Sequence, residues 1–280
     1  ILPRDTCSKC IDYEKLGITS PRQNANNQSW AKEILDSIEN TTNTDGSLKT
    51  YKIKYWDLRW SNLCNMNCVM CDPEWSSLWT QDIKEKLSNY TNKTIEEDDM
   101  LRLWKNRINE DTRKVRHLPN KNWIDDNIKD VQSIYFAGGE PLIMKEHWYI
   151  LNKLVELKRF DVRIKYNTNM LKIDYQKQNA IDLWKHWDRK LLSVEGSIDE
   201  TDKRSEWIRT GTVWNTVKNN ILKVKNAGIR FFPNTSVGCY NVIRLPELLQ
   251  ELFDLFDPDQ INVNPVFNEW CCIQVLPDSL

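Results

Sequence analysis

A chain of 280 residues with 40% apolar content is long enough to bury a core of its own, and its net charge of −1 argues against a general nucleic-acid or anionic-membrane binder. Charges of both signs are mixed along it, the pattern of solvated helix faces. No stretch approaches the ~20 apolar residues of a membrane span; the richest, 150–157, is interrupted by Asn152, Lys153 and Glu156.

Residues 1–50 are polar, with a Cys7-x2-Cys10 pair followed by Gly17, Ser20, Pro21 and a run of Asn and Gln. So little apolar content does not support an independent core, and the region reads as the tail of an upstream module plus a linker. The chain opens on Ile1 and stops at Leu280, so a longer parent protein is expected. A first strand is predicted over 53–59. Residues 78–130 fit no repeat and read as a helical, charge-rich insertion with an acidic run at 96–99.

From 133 onward, short apolar strands alternate with amphipathic helices, the pattern that builds parallel sheets through βαβ units. Strands are predicted over 133–137, 162–166, 191–197, 229–237 and 260–266. Helices are predicted over 146–157, 175–187 and 213–227, with Gly228 as the left-handed cap of the last and Pro246 in the first turn of another. With 53–59 this makes six strands, an α/β chain whose expected fold is a partial (β/α)6 TIM-like barrel, open on one side. Chemistry in such barrels sits at the carboxyl ends of the strands.

Cys64-x3-Cys68-x2-Cys71 falls on the first strand-to-helix loop. Three thiolates at this spacing can hold three corners of an iron–sulfur cube, and no fourth cysteine follows nearby, which leaves one iron open. Zinc sites pair two knuckles or mix Cys with His, and only His117 follows within fifty residues. A disulfide framework needs an oxidising compartment and a small chain.

The triplet resembles the defining loop of the radical S-adenosylmethionine (radical SAM) enzymes, and Gly138-Gly139-Glu140-Pro141, after the second strand, resembles their GGE motif. The resemblance implies that Cys64, Cys68 and Cys71 ligate a [4Fe–4S] cluster and that the methionyl amine and carboxylate of S-adenosyl-L-methionine chelate the open iron. Gly138 and Gly139 then let backbone approach the ligand, and Glu140 accepts hydrogen bonds from the ammonium group. A helix N-terminal carboxylate is the alternative for Glu140.

Asn167-Thr168-Asn169 resembles the family's T-N-G segment with Met170 in place of glycine, which makes Asn169 a ligand candidate. Ser197-Ile198-Asp199 resembles an S-I-D-G segment whose serine contacts the ribose, with Glu200 where glycine is usual. Arg209 stands where relatives place an arginine on the ligand carboxylate, and Met70 where an aromatic packs near adenine. A surface helix start is the alternative for Arg209.

Strand alternation projects Asn167 and Asn169, Glu195 and Ser197, Asn234 and Ser236, and Asn262 and Asn264 in pairs, which suggests a hydrated cavity. Glu195 is the candidate for substrate contact or proton handling. Cys7 and Cys10 resemble the end of a twitch (SPASM-like) auxiliary-cluster region, whose remaining ligands would lie upstream of this chain; a zinc knuckle is the alternative. Cys239 reads as a small buried residue, and Cys271 and Cys272 receive no role.

The expectation is thus a cytoplasmic radical SAM enzyme with residues 1–50 as a twitch-like remnant plus linker and 51–280 as the core. It would cleave S-adenosylmethionine reductively to a 5′-deoxyadenosyl radical that abstracts hydrogen from a substrate. The resemblance implies an electron donor such as flavodoxin or ferredoxin, and a substrate that is a peptide or protein or another small modified molecule. The alternatives are a non-catalytic iron–sulfur electron carrier or sensor, and a zinc-stabilised binding module.

Overall fold

The computed structural model describes residues 4–89, 120–267 and 269–277, so the acidic run at 96–99 lies outside the described residues. Its centre is one parallel sheet of six strands laid side by side in chain order: β1 (Tyr55–Leu58), β2 (Ser133–Phe136), β3 (Arg163–Thr168), β4 (Leu192–Ser197), β5 (Arg230–Val237) and β6 (Asn262–Pro265). Each coincides with one of the six strands expected from the sequence, and the α/β partial barrel follows from this order.

Side-chain alternation divides the sheet into two chemically distinct faces. Leu58, Phe136, Tyr166, Val194 and Phe231 stand in register across five strands, all buried on the helix side. One residue earlier, Asp57, Tyr135, Lys165, Ser193 and Arg230 form the matching row on the opposite, concave face. A one-residue slip would bury this charged row, which fixes the register.

Helices cover the apolar face. α1 to α4 (Arg4–Lys15, Pro21–Asn26, Ser29–Asp36, Ile38–Thr41) occupy the polar N-terminal region, and none of its described residues joins the main hydrophobic core. Next come α5 (Ser77–Asn89), α6 (Lys121–Asn127), α7 (Lys145–Glu156) and α8 (Ala180–Trp184), then α9 (Asp202–Ile208), α10 (Trp214–Asn226) and α11 (Leu245–Phe253). Ile150, Leu151 and Leu154 of α7 and Val217, Ile221 and Val224 of α10 repeat at helical spacing and are buried against the sheet. Fully burying each such side chain stabilises the fold by about 1.5–3 kcal/mol. Gly228, at φ +74°, terminates α10 in the left-handed conformation expected of it.

One element departs from the sequence reading. Residues 175–187 do not begin as a helix: Asp174–Tyr175 pairs antiparallel with Gln178–Asn179, and Gln176 turns the chain at φ +53°. The Asn179 side chain accepts from the Ile181 amide, so α8 starts only at Ala180. A capping asparagine inside an otherwise amphipathic segment outweighs the periodicity around it.

Candidate active site at the cysteine loop

The loop after β1 carries the three thiols and is held from three sides. Glu140 donates its amide to Leu63 O at 2.8 Å and Gly139 donates to Ser61 O at 3.1 Å, which lays the β2 loop against the loop's start. A Cβ on Gly139 would stand 2.1 Å from Leu63 O, and Gly138, at φ +108°, brings its backbone against Arg59. The glycines thus allow a close approach of two backbones as well as lining the pocket described next.

The second side is the start of α5 and the turn before it. Ser76 Oγ donates to Met66 O at 2.6 Å and Trp79 Nε1 to Cys68 O at 2.8 Å. The third is the segment after α9, where Arg209–Thr210 pairs antiparallel with Asn67–Cys68 and Val69 donates to Ile208 O at 2.9 Å. Gly211, at φ +102°, allows this strap to pass Asn65 O, which a Cβ would meet at 2.9 Å.

A pocket of about 240 Å³ opens over the loop at the carboxyl ends of the strands. It brings together Cys64, Cys68 and Cys71, along with Met70, Gly138, Gly139 and Glu140. Asn169, Ser197 and Arg209 complete the set of cofactor candidates that line it. Glu195 is not among the lining residues: it lies on the concave face, where Lys165 Nζ meets its Oε1 at 2.5 Å and Asn234 donates to its Oε2 at 3.4 Å. In the amide orientation that satisfies its neighbours, Asn167 donates to Glu195 Oε2 at 2.7 Å and accepts from the Tyr135 hydroxyl at 3.0 Å.

Glu140 is 1% exposed and heavily used by the protein. Oε1 accepts from Leu142 N at 3.0 Å and Thr168 Oγ1 at 2.8 Å, and Oε2 accepts from Asn169 N at 2.8 Å. Burial pushes its carboxyl up to about 7 against the pull of these donors. Oε2 keeps a lone pair for one further donor.

Sequence reasoning gave no role to Asp199. Its buried carboxylate stands 2.6 Å from Arg209 Nη2, while Arg209 Nη1 donates to Cys68 Sγ at 3.7 Å. The signal was present as an acidic residue two positions past a strand and ten before an arginine. Cys71 shares a hydrogen bond with Cys68, which together with Arg209 draws Cys68 toward the thiolate in spite of burial. The same bond, with burial, pushes Cys71 up. Burial raises Cys64 to about 11.

The donor set fits an iron–sulfur cube. Three soft thiols face one pocket, and Arg209 Nε and Asn65 Nδ2 are buried beside them with no partner among the described residues, donors that a bound anionic group would satisfy. Among the described residues no three His, Cys, Asp or Glu side chains converge tightly enough to hold a single metal ion.

Cys7 and Cys10 lie elsewhere, half-buried on α1. Glu14 on the same helix accepts from Arg22 Nε at 2.7 Å and from Ser20 Oγ at 2.5 Å. Cys239 is half-buried and not the buried residue expected; its amide donates at 2.9 Å to the carbonyl of Cys271, which is the buried one. Cys271 Sγ lies 3.5 Å from Val69 O of the cysteine loop. Among the described residues no helix is long and apolar enough to cross a membrane.

Two solved structures of native anSMEcpe resemble the chain, one with bound AdoMet (15% identity, 77% of this chain and 52% of that one, TM-score 0.49) and one with AdoMet and the Kp18Cys peptide (15%, 76% and 51%, TM-score 0.49). TYW1 with a lysine-pyruvate adduct bound is similar at 14% identity over 66% of this chain and 53% of that one, with a TM-score of 0.31. The chain therefore spans about half the length of the solved structures it matches. No curated protein sequence matches it. The model of the radical SAM superfamily matches residues 58–252, which cover the cysteine loop, the pocket and strands β2 to β5, and the chain belongs to that superfamily.

Proposed function

We propose that this chain is the core of an enzyme that holds a [4Fe–4S] cluster on Cys64, Cys68 and Cys71 and S-adenosylmethionine in the pocket above them. The observation that carries this reading is the meeting of the three thiols and Gly138-Gly139-Glu140 in one pocket at the carboxyl ends of the strands. When bound, the pair supplies one-electron cleavage of S-adenosylmethionine to methionine and a 5′-deoxyadenosyl radical, which removes a hydrogen atom from the substrate.

The residues then divide the work of binding. The spare lone pair on Glu140 Oε2 takes the ligand ammonium, and Asn169, fixed through its amide by the same carboxylate, turns its side chain to Asn65 Oδ1 at 2.8 Å to close that wall. Ser197 offers a hydroxyl for the ribose, Arg209 faces the carboxylate, and the Met70 thioether packs near adenine. Glu195, anchored by Lys165 and Asn234, handles the substrate on the concave face.

The concave face is rich in amides and hydroxyls, which supports a polar substrate such as a peptide or protein. Flavodoxin or ferredoxin is the class of electron donor the chemistry needs, and a cytoplasmic setting suits reduced thiols. Residues 51–280 form the catalytic core, with 78–130 inserted in it. Residues 1–50 carry Cys7 and Cys10 as part of an auxiliary-cluster site of the twitch type.

Anaerobic reconstitution of the full protein, followed by dithionite and S-adenosylmethionine, tests this. The expected products are a brown protein with close to four irons at the triplet and 5′-deoxyadenosine in the supernatant. Cys68→Ala should abolish both the triplet's iron and the cleavage; iron retained at the triplet site, or no 5′-deoxyadenosine from the parent, would reject the reading.

A further inference from the structure

The strap over the cysteine loop does more than hold it in place. Arg209 is the first residue after α9, and its main chain pairs with Cys68 while its side chain runs back toward the same cysteine. The guanidinium is almost entirely enclosed, with 12% of the side chain exposed, and the carboxylate facing it from the loop after β4, Asp199, has none exposed. Nη2 stands 2.6 Å from Asp199 Oδ2, Nη1 donates to Cys68 Sγ at 3.7 Å, and Nε is buried with no partner among the described residues.

Asp199 is itself fixed. Its Oδ1 accepts from Ser236 N at 2.7 Å, and its carbonyl accepts from Asn241 Nδ2 at 2.8 Å. The carboxylate is anchored through Oδ1, and the guanidinium lies against its Oδ2 as an ion pair with Nη1 directed at a thiol. A buried arginine whose charge were needed only to neutralise Asp199 would not also have to direct Nη1 at sulfur.

We infer that the Asp199–Arg209 pair sets the reduction potential of the cluster bound at Cys64, Cys68 and Cys71, with Arg209 raising it through the N–H···S contact to Cys68 and Asp199 limiting that rise. This rests on the cluster reading above. An N–H donated to a ligating sulfur, and a positive charge beside it in a low-dielectric site, both stabilise the more negative, reduced state of the cluster. Asp199 opposes the charge and fixes the geometry. Both residues are positioning residues for the electron-accepting step, and the pair holds the potential between two extremes that each residue alone would give.

The inference predicts opposite signs for two substitutions. Arg209→Gln removes the charge and the N–H···S contact and leaves Asp199 facing the site. The reduced-to-oxidised ratio at a fixed solution potential should fall about tenfold, which is 59 mV for one electron. Asp199→Asn keeps the shape of the pair, leaves Arg209 uncompensated and should raise the ratio by a similar factor.

The measurement is an EPR-monitored dye titration of the reconstituted full-length protein without S-adenosylmethionine, with iron and sulfide content determined on the same samples. Cys7→Ala/Cys10→Ala in every sample restricts the signal to the triplet. Parent protein that binds no cluster at the triplet overturns the cluster reading itself. Parent and variants that bind it with potentials within a factor of two in that ratio, or that shift in the same direction, overturn this inference alone. If Arg209→Gln fails to take up the cluster, Asp199→Asn decides: an unchanged or lowered potential rejects the proposal, and a raised one supports it.

Discussion

At the scale of single residues, the sharpest consequence of burial falls on His147, on the helix-covered side of the sheet. It is 0% exposed and its Nε2 lies 2.8 Å from the Tyr166 hydroxyl, while Nδ1 has no partner among the described residues. Phe136, 4.9 Å away edge-on, and Trp148 complete an apolar cage. Burial lowers the imidazole from its ordinary 6.5 to about 3, so the folded state refuses a proton that the unfolded chain accepts. The stability this neutral ring contributes is complete above pH 6.5 and is lost as pH falls toward 3, by about 2 kcal/mol between pH 6.5 and 5. Glu140 acts in the opposite sense. Its folded value of about 7 lies above its ordinary 4.5, so its contribution declines as pH rises through that interval. His147→Phe should cost about 1–3 kcal/mol at pH 7, because the Tyr166 hydroxyl loses its partner, yet its stability should fall less on acidification. Urea unfolding of parent and variant at pH 5, 6 and 7 measures this. Equal losses in the two proteins would show that the ring does not couple folding to protons.

At the scale of elements, the strap at 208–212 shows what a sequence pattern conveys and what it omits. The six strands were legible because apolar alternation is local, and the triplet and Gly138-Gly139-Glu140 were legible because their spacing is. The pairing of Asn67–Cys68 with Arg209–Thr210 was not, since it joins two-residue segments more than 140 positions apart and neither carries strand periodicity. Asp199 stayed without a role for the same reason: its meaning depends on a partner that only the closed fold supplies. Two of the three acceptor contacts of Glu140, to Thr168 and Asn169, likewise follow from β2 and β3 being neighbours, and the hairpin ahead of α8 from one asparagine cap. The strap also yields a test. Gly211 sits at φ +102° and any side chain there would meet Asn65 O, so Gly211→Val should cost on the order of 1–3 kcal/mol locally and lift the strap from the loop. Since Gly211 touches none of the main core, the far-UV circular dichroism should be unchanged. Release of the triplet's iron to a chelator should accelerate several-fold. Release at the parent rate would mean that α5 and the β2 loop suffice to hold the cysteines.

At the scale of the whole molecule, the two faces of the sheet separate stability from chemistry. The main core runs from Trp56 to Phe256 on the helix-covered side and includes neither Cys68 nor Met66, although both are buried. The concave face is joined instead by polar contacts between strands: Lys165 with Glu195, Asn234 with Glu195, and Asn264 with Asn234 at 2.7 Å. Such a network can be rearranged around a ligand without opening the apolar layer, whereas an apolar core tolerates little displacement. The folding of the sheet should therefore be independent of the triplet's cluster. Oxidative removal of that cluster should leave the far-UV spectrum intact while residues 62–77 become open to protease, because the loop lies outside the core. Leu154, buried in α7 against the sheet, provides the control. Leu154→Ala should cost about 2–5 kcal/mol through the cavity it leaves. Because Leu154 is not among the residues that line the pocket, this cost should be equal with and without iron to within a few tenths of a kcal/mol. A cost that changed by more than 1 kcal/mol on removing the cluster would show that the cysteine loop and the helix-covered core fold as one cooperative unit.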